Sequence, residues 1–273
     1  MLTTALQEYF YPIDEPKVVF DDQGLIVVAK PAGMHCSPAS RQGTLCHWLY
    51  SQDPEPALVQ GHTKDEGGLL HRLDAATSGL VAFARNDSSF AFMKAAQANG
   101  LFLKHYYAMA KPENYGLTGS VPVLAIPLNS SGPEWARILR NCDMEKMARL
   151  LHGAKITSCF RPFGPRAKRV ACAQAGIKLP GGKAWGKTVY ESKILNTLIY
   201  DKYMFLELSL EKGYRHQLRA HMAWLGLPLL GDSLYGEGFQ SEKEKLFSAS
   251  LYLRAHKLVF PSPIDSKKIS IEI

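Results

Sequence analysis

The sequence lacks a long apolar run, a leader-like N-terminus and paired cysteines, and each absence excludes a class of protein. No uninterrupted apolar stretch approaches the roughly 18 residues that a membrane-spanning helix needs. Residues 1–16, MLTTALQEYFYPIDEP, have no basic region followed by an apolar stretch and a small-residue cleavage site. The five cysteines are odd in number and no two are separated by only two residues, so neither a disulfide framework nor a zinc knuckle is indicated. These absences predict a cytoplasmic protein without a membrane segment.

The common motifs for metals, nucleotides and hydrolytic serines are also missing. The nine histidines form no compact ligand set, and His216 and His221 have no acidic partner at helical spacing. Gly67-Gly68 and Gly181-Gly182 are not followed by the Lys-Ser/Thr of a phosphate-binding loop and make no dinucleotide fingerprint. Ser78 lacks the Gly-x-Ser-x-Gly elbow of a hydrolase. The sequence therefore predicts neither a bound metal nor a cofactor.

What the sequence does have is positive charge, concentrated in one segment. The 273 residues carry a net charge of +7, with an isoelectric point near 9.1. Between Leu151 and Arg219 there are 13 Lys or Arg against 4 Asp or Glu, so this segment holds more than the whole net charge. Such a concentration favours a polyanionic partner, and the alternative is an ordinary solvated basic face.

Short strand-like stretches dominate the chain, with a few helices between them. Strands are predicted at Val18–Phe20, Leu25–Val28, Leu80–Asn86 and Leu101–Ala110, and in KTVYESKIL, YMFLELSLEKG, HKLVF and KKISIEI. Helices are predicted after Asp87 as a cap, within residues 133–151, and from Gln217 through AHMAWLG. Residues 112–182 carry the least regular pattern. Because strands and helices do not alternate in a βαβ rhythm, the sequence favours a mixed α+β fold.

Three stretches stand apart from this background. They are HRLDAATSGL at 71–80, LKHYYA at 103–108 and EKGYRHQLRAHMAWLGLPLLGDSLYG at 211–236. Together with KPAG at 30–33 they resemble the RluA-type pseudouridine synthases, which isomerise uridine to pseudouridine within structured RNA. The resemblance runs from about Lys17 to Pro263 and is weak over residues 112–182. It implies a lead-in of 1–16 and a single α+β catalytic domain over 17–273, built on a mixed, mainly antiparallel sheet divided by a central cleft.

The resemblance also implies the roles of three residues. Asp74 is implied to be the catalytic aspartate. Tyr106 follows Lys104 in the family's Lys-x-Tyr pattern and is implied to be the active-site tyrosine. Arg219 is implied to be the arginine that pairs with the aspartate. An aspartate acts as a nucleophile or takes a proton only when it is ionised, and a neighbouring guanidinium favours that form. A tyrosine stacks on the uracil face, and the target uridine must leave the RNA stack to reach it. Covalent attack and abstraction of a ribose proton both remain open for the aspartate.

Supporting or RNA-binding roles are predicted for further residues. The motifs that carry the resemblance supply Arg72, Lys104, Arg215, His216 and Gln217, and the basic stretch CFRPFGPRAKRVAC supplies Arg161, Arg166, Lys168 and Arg169. Arg72 either helps to open the RNA and order the catalytic turn or is a surface arginine near phosphate. Gly79 is expected to permit a backbone conformation that other residues resist. Asp232 and Tyr235-Gly236 are expected to brace the third motif, and KPAG is expected to be structural.

The chain departs from the family pattern in places that concern the choice of target. The third motif reads Gly213-Tyr214-Arg215-His216 where relatives have Gly-Arg, then Thr or Lys, then His-Gln, so altered RNA contacts are expected. With 16 residues before the first predicted strand, the S4-type RNA-binding domain that many relatives carry is not expected. The segment from about 128 to 182 is longer than usual and basic at CFRPFGPRAKRVAC. It is predicted to cover RNA as a lid with Phe160 and Phe163 stacking, or alternatively to be a surface excursion pinned to the core by these two rings.

The leading hypothesis is therefore a cofactor-free RNA pseudouridine synthase that acts on ribosomal or transfer RNA. A non-catalytic RNA-binding or ribosome-assembly protein on the same fold is the alternative. A glycosidase or nucleosidase with one carboxylate is a third possibility, and it lacks an evident second acid. The sequence does not identify the target uridine, and a monomer without an obligate protein partner is the default expectation.

Overall fold

The computed structural model describes residues 9–112, 124–125, 137–139, 141–174, 186–236 and 251–273. Its strands in this part of the chain are β1 Lys17–Asp21, β2 Leu25–Lys30, β3 Ser78–Ala84, β4 Leu103–Ala110, β5 Leu124–Ala125, β6 Lys155–Phe163, β7 Arg169–Ala173, β8 Tyr190–Tyr200, β9 Tyr203–Leu210, β10 Leu253–Pro261 and β11 Lys268–Glu272. The α-helices that lie wholly within the described residues are α1 Leu45–Gln52, α2 Asp87–Ala98, α3 Met144–Leu151 and α4 Gln217–Trp224. Short 3-10 turns occupy Glu55–Leu58 and Pro165–Ala167. No helix within the described ranges is long and apolar enough to cross a membrane.

The chain folds as two compact units. The first, called here the Asp74 unit, contains residues 9–106 and Arg254–Ile273. The second, the Arg219 unit, contains the described residues between 107 and 253. The boundaries therefore fall inside β4 and after the first residue of β10. A single catalytic domain over 17–273 with a central cleft stays a prediction.

The Asp74 unit is built around a strand that is buried along its whole length. All six residues of β2 are buried, and β2 pairs antiparallel with β1 on one side and with β3 on the other. On its other side β3 pairs parallel with β10, and β10 pairs antiparallel with β11. Phe102 and Phe260 stack in the core with ring centroids 5.4 Å apart. The predicted strands of this region are confirmed, and the sheet is mixed and mainly antiparallel as predicted.

The N-cap of helix α2 lies one residue earlier than predicted from the sequence. The cap is Asn86, whose side-chain oxygen accepts from the backbone N–H of Ser89 at 2.9 Å. Asp87 is the first helical residue, and its carboxylate accepts from the backbone N–H of Gln60 at 2.7 Å. The prediction that Asp87 is the cap is therefore wrong. The extended backbone at the end of β3 places Asn86 in the β-region geometry that a cap requires.

The Arg219 unit contains an antiparallel run of strands in the order β9, β8, β6 and β5, with β7 paired to the outer part of β6. The prediction that 112–182 is irregular is wrong for residues 155–173, which form a regular hairpin. Within the predicted helix at 133–151, α3 begins at Met144 behind an Asp143 cap. Residues 128–136, 140 and 175–182 of the predicted 128–182 insertion lie outside the described residues.

Candidate active site

The turn that carries Asp74 is fixed by its backbone before any side chain is considered. The N–H of Thr77 donates to the carbonyl of Asp74 at 3.0 Å, which closes the turn. The N–H of Gly33, in the KPAG stretch, donates to the carbonyl of Ala75 at 2.7 Å. Thr77 is buried while Asp74 is half-buried. The predicted catalytic carboxylate therefore stands in a rigid turn and keeps access to solvent.

Lys30 lies behind this turn as a fully buried ammonium group. Its Nζ donates to three backbone carbonyls, those of Pro31 and Met34 at 2.8 Å each and that of Ala75 at 3.2 Å. Burial lowers the pKa of Lys30 to about 8, and electrostatic interactions with Cys36 and Asp74 oppose this shift. The lysine thus ties the KPAG stretch to the Asp74 turn and is coupled to the carboxylate itself.

The KPAG stretch is expected to be structural, and no separate role is predicted for Lys30. A signal was present, because Lys30 ends the apolar run LIVVAK, whose residues are all buried in β2. A charged residue that closes a fully buried strand has to find internal partners. Those partners follow from the tertiary fold and could not be read from the sequence.

Cys36 supports the same turn from another side. Its Sγ donates to the carbonyl of Leu73 at 3.5 Å and accepts from the N–H of Leu73 at 3.3 Å. Burial raises the pKa of the Cys36 thiol, so the group stays protonated near neutral pH. Cys36 therefore acts as a small buried hydrogen-bonding residue next to Asp74 rather than as a nucleophile.

Gly79 confirms the expectation of a backbone that other residues resist. Its φ is +117°, and a Cβ atom placed there would lie 2.2 Å from the carbonyl oxygen of Ala255 and 2.6 Å from its nitrogen. Gly79 pairs with Ala255 where β3 meets β10 in parallel. The missing side chain lets the end of the Asp74 turn approach β10 closely.

Tyr106 lies in β4 in the same unit as Asp74 and is 5% exposed. Burial raises the pKa of its phenol, and the nearby Asp74 carboxylate raises it further. The hydroxyl is therefore protonated at neutral pH and is a hydrogen-bond donor. The structure brings the predicted aspartate and tyrosine into electrostatic interaction.

Lys104 and His71, which lie close in sequence to Tyr106 and Asp74, both have lowered pKa values. Burial, reinforced by Lys94, lowers the pKa of Lys104 to about 8, and the Lys104 ammonium lies 5.5 Å from the centre of the Phe102 ring. Burial also lowers the pKa of His71 to about 3, so that its Nε2 accepts from the backbone N–H of Ala82 at 3.2 Å. Lys104 is 7% exposed, and its RNA-binding or supporting role stays a prediction.

Arg72 points to the surface beside the turn. Its side chain is 66% exposed, and its Nη1 lies 2.9 Å from a carboxylate oxygen of Glu66. Glu66 is 12% exposed and also accepts from the Ser37 hydroxyl at 3.1 Å. A pair of this exposure contributes little to stability. Arg72 is consequently available at the rim of the Asp74 turn, as its predicted supporting role requires.

Arg219 is held in the other unit by a buried carboxylate. It lies on α4, is 4% exposed, and donates through Nε and Nη2 to the two oxygens of Asp232 at 2.8 and 2.7 Å. The Asp232 carboxylate also accepts from the N–H groups of Leu234 and Tyr235 at 2.9 and 3.2 Å. The expected bracing role of Asp232 is therefore seen directly as a two-point ion pair. Pairing of Arg219 with Asp74 stays a prediction.

The segment before α4 is ordered by Gln217 and His216. Gln217 is buried, accepts from the N–H of Tyr214 at 2.9 Å and donates to the carbonyl of Glu191 at 2.9 Å. His216 has a left-handed backbone with φ of 56°, and its Nδ1 lies 3.1 Å from the hydroxyl of Tyr235. Both residues have the geometry of supports, within the combined RNA-binding or supporting role that the sequence predicted.

His221 has a supporting role that is not among the predicted site residues. It is fully buried on α4, with Ser158 Oγ 2.8 Å from Nε2 and Ser192 Oγ 2.8 Å from Nδ1. Burial lowers the pKa of His221 to about 3, so the ring is neutral. The spacing of His221 from Gln217 by one helical turn was visible, but its two serine partners lie far away in the sequence and were not predictable.

The four predicted RNA-binding residues of the insertion lie on or next to the β6–β7 hairpin: Arg161, Arg166, Lys168 and Arg169. Phe160 is 2% exposed and stacks in parallel on Tyr214 with ring centroids 4.9 Å apart. The idea of Phe160 as an aromatic available to RNA is therefore wrong, because the ring is already covered by protein. Phe163 is half-buried beneath the guanidinium of Arg169, 5.3 Å from the ring centre.

Comparison with known proteins identifies what these motifs belong to. Residues 24–224 match the family model of RNA pseudouridylate synthase. The chain belongs to this family. The prediction of an RluA-type RNA pseudouridine synthase, an isomerase, is thereby confirmed.

Three curated relatives of this synthase illustrate the match. It is 26% identical to the tRNA pseudouridine synthase C of Vibrio cholerae, over 93% of this chain and 89% of the relative. It is 28% identical to the dual-specificity RNA pseudouridine synthase RluA of Vibrio vulnificus, over 95% and 83%. It is also 28% identical to the ribosomal large subunit pseudouridine synthase D of Zymomonas mobilis, over 96% and 70%. The chain spans 66% of the length of a similar RNA pseudouridine synthase from Helicobacter pylori.

A solved structure supports the fold of the synthase. The human RNA pseudouridylate synthase domain containing 4 superposes with a TM-score of 0.58 at 18% identity. The superposition covers 100% of this chain and 90% of the human one. The mixed α+β fold predicted from the strand pattern is confirmed by this likeness.

Proposed function

We propose that this synthase isomerises specific uridines of structured ribosomal or transfer RNA, with Asp74 as the catalytic group and with Tyr106 and Arg219 completing the site. The observation that carries the proposal is the construction of the Asp74 turn. Backbone bonds from Thr77 and Gly33 and the buried ammonium of Lys30 all hold it, and together they place one half-buried carboxylate in a fixed position. Support of this kind suits a group that must meet a substrate atom in a defined geometry.

The chemistry asks for one carboxylate and no external reactant. The bond between uracil N1 and ribose C1′ breaks, the uracil turns in place, and C5 forms a new bond to the same C1′. The proton that C5 loses is balanced by the proton that N1 gains, so atoms and charge are conserved. Asp74 acts either by attacking C1′ or by taking a ribose proton, and the proposal covers both.

Tyr106 and Arg219 have different parts in this scheme. The protonated phenol of Tyr106 offers a donor and an aromatic face to the flipped uracil. Arg219 supplies a guanidinium that Asp232 already holds in one orientation. A held cation needs no reorganisation when negative charge approaches it. We assign Arg219 the stabilisation of the Asp74 carboxylate or of charge that develops on the substrate.

The names of the relatives guide the choice of RNA. The Vibrio cholerae relative is named for tRNA and the Zymomonas mobilis relative for the large ribosomal subunit. Their identities to this chain are close to one another, so both RNA classes are carried into the proposal. Exposed Arg72 and the basic residues of the β6–β7 hairpin are assigned to the RNA surface around the target uridine.

Pseudouridine mapping of total RNA tests the proposal. Cells with the wild-type chain are compared with cells that carry Asp74→Ala or Asp74→Asn, with protein levels and thermal midpoints checked for all three. Loss of pseudouridine at one or a few positions in both variants is the expected result, and those positions name the substrate. An unchanged map with folded, expressed variants would contradict the assignment and favour a non-catalytic RNA-binding protein.

A further inference from the structure

The β6–β7 hairpin ends in a tip of fixed, unusual backbone shape. Gly164, Arg166 and Ala167 have φ values of +77°, +53° and +54°. Glycine adopts this region freely, whereas Arg166 and Ala167 are strained there. Pro165 lies between Gly164 and Arg166, and the two strands are paired up to Phe163 in β6 and Arg169 in β7. A strained tip that is retained in a well-paired hairpin points to a function for its exact shape.

The tip is fastened to the third motif by consecutive residues. Nη2 of Arg215 donates to the carbonyls of Ala167 and Arg169, the second at 3.2 Å. The ring of Tyr214 stacks on Phe160 in β6. At these two residues the third motif departs from the family pattern, and both are engaged with the hairpin. The departure therefore builds an anchor for the hairpin next to the helix that carries Arg219.

Tyr235 adds a further link between the hairpin and the third motif. Its hydroxyl accepts from the backbone N–H of Val170 in β7 at 2.7 Å and lies 3.1 Å from Nδ1 of His216. The guanidinium of Arg219 lies 5.5 Å from the centre of the same ring. The hairpin is consequently connected to the residues around Arg219.

The charge of the hairpin divides into an internal part and an exposed part. The stretch from Lys155 to Ala173 contains no acidic residue. Arg215 is committed to backbone carbonyls and Arg169 lies over Phe163. Arg166 and Lys168 are exposed at the tip, and neither side chain has a hydrogen bond or ion pair with the described residues. These two side chains are the cations presented to a partner.

We propose that the hairpin tip is an RNA-backbone clamp in which Arg166 and Lys168 each neutralise one phosphate, held in place by Arg215. This inference rests on the proposed function, since it takes RNA as the substrate. Phosphodiester backbone is the fitting partner because the tip offers two exposed cations in a stretch that contains no acidic residue. The clamp would position the RNA, while recognition of the uridine belongs to the Asp74 turn.

The test is the salt dependence of RNA affinity. A fluorescent RNA stem-loop with uridines in its loop is titrated by polarisation between 50 and 300 mM KCl against the wild-type chain and against Arg166→Gln/Lys168→Gln. Each phosphate contact adds about 0.7–0.9 to the slope of log affinity against log salt, so the double variant is expected to flatten the slope by about 1.4–1.8. Affinity at low salt is expected to fall at least tenfold, with KM raised and kcat kept within twofold.

The matched control is Lys17→Gln/Lys64→Gln, which removes the same charge from exposed positions in the Asp74 unit. The control is expected to leave the slope unchanged. Equal slopes for wild type and hairpin variant, or equal flattening in hairpin variant and control, would overturn the clamp. Pseudouridine formation by the wild-type chain is measured in parallel with RNA affinity. If no pseudouridine forms but the salt slopes of wild type and hairpin variant differ as expected, the proposed function alone is refuted. If pseudouridine forms but the two slopes are equal, the clamp alone is refuted.

Discussion

The buried ion pair between Arg219 and Asp232 gives the sharpest prediction, because its two residues have separable effects on stability and catalysis. The change to make is Asp232→Ala. It removes both carboxylate oxygens from Arg219, which is 4% exposed, and it also removes the acceptor of the Leu234 and Tyr235 N–H groups. What remains is a buried guanidinium whose two-point carboxylate partner is gone.

The expected cost follows from the burial of both partners. Removing one member of a buried ion pair costs about 3–5 kcal/mol, because the remaining buried charge loses this counterion. At about 2–4 °C per kcal/mol for a chain of this size class, the thermal midpoint is expected to fall by about 6–20 °C. The exposed pair of Asp265 with Lys267 supplies the control, and Asp265→Ala is expected to leave the midpoint unchanged.

The double variant Arg219→Met/Asp232→Leu separates the two roles. Replacing a whole buried pair by apolar side chains of similar volume is often neutral or stabilising, so most of the lost midpoint should return. Pseudouridine formation should not return, because the proposed guanidinium is gone. The assays are differential scanning fluorimetry and pseudouridine formation within a transcript that carries the mapped site. A midpoint change below about 2 °C for Asp232→Ala would refute the energetic reasoning, and an active double variant would refute the role proposed for Arg219.

Three further perturbations follow from single positions. Gly79→Ala is expected to cost several-fold more unfolding free energy than Gly33→Ala, since both have positive φ but only at Gly79 would the new Cβ meet backbone, and chemical denaturation of the two variants measures the difference. The folded-state pKa of His221 is lowered from 6.5 to about 3, so the neutral ring stabilises the fold above pH 6.5 and this contribution is lost as the pH falls towards 3. In His221→Asn, the slope of unfolding free energy against pH between 4 and 6 should therefore be smaller by about 1.4 kcal/mol per pH unit. The pKa of Lys30 is lowered from 10.5 to about 8, so the wild-type chain should gain stability as the pH rises from 8 to 10.5. The variant Lys30→Met should lack this gain. Its kcat should fall at least tenfold while its RNA affinity stays unchanged.

The sequence predicted best where a local pattern settles the structure. Gly79 follows a small-residue turn and precedes an apolar strand, so its unusual backbone was foreseeable and is present. The apolar runs around Leu25 and Leu80 gave their strands because a fully buried strand reads as a continuous apolar stretch. The placement of Asp74 in a turn just before β3 followed from the same two signals.

Prediction failed where distant partners override local preference. Prolines, glycine and arginines in 155–173 hide any period of two, yet β6 forms because its backbone pairs with β8 and β7. Phe160 reads as an exposed aromatic in a basic stretch and is buried, because Tyr214 covers it from a position more than fifty residues away in the sequence. No window of local sequence contains that information.

The two compact units support their functional side chains by different means, and this difference predicts how variants will divide. Around Asp74 the supports are backbone bonds and a buried ammonium, so changes at Lys30 or Gly79 should alter the chemical step and leave the salt dependence of RNA binding as it is. At the hairpin tip the exposed charges have no part in holding the turn, so Arg166 and Lys168 should alter RNA affinity and its salt slope and leave kcat in place. A kinetic survey in which each class moved only its own parameter would establish that positioning of the RNA and activation of the uridine are built from separate sets of residues. A survey in which Lys30→Met flattened the salt slope as much as the tip variant would show that the two functions share one electrostatic surface.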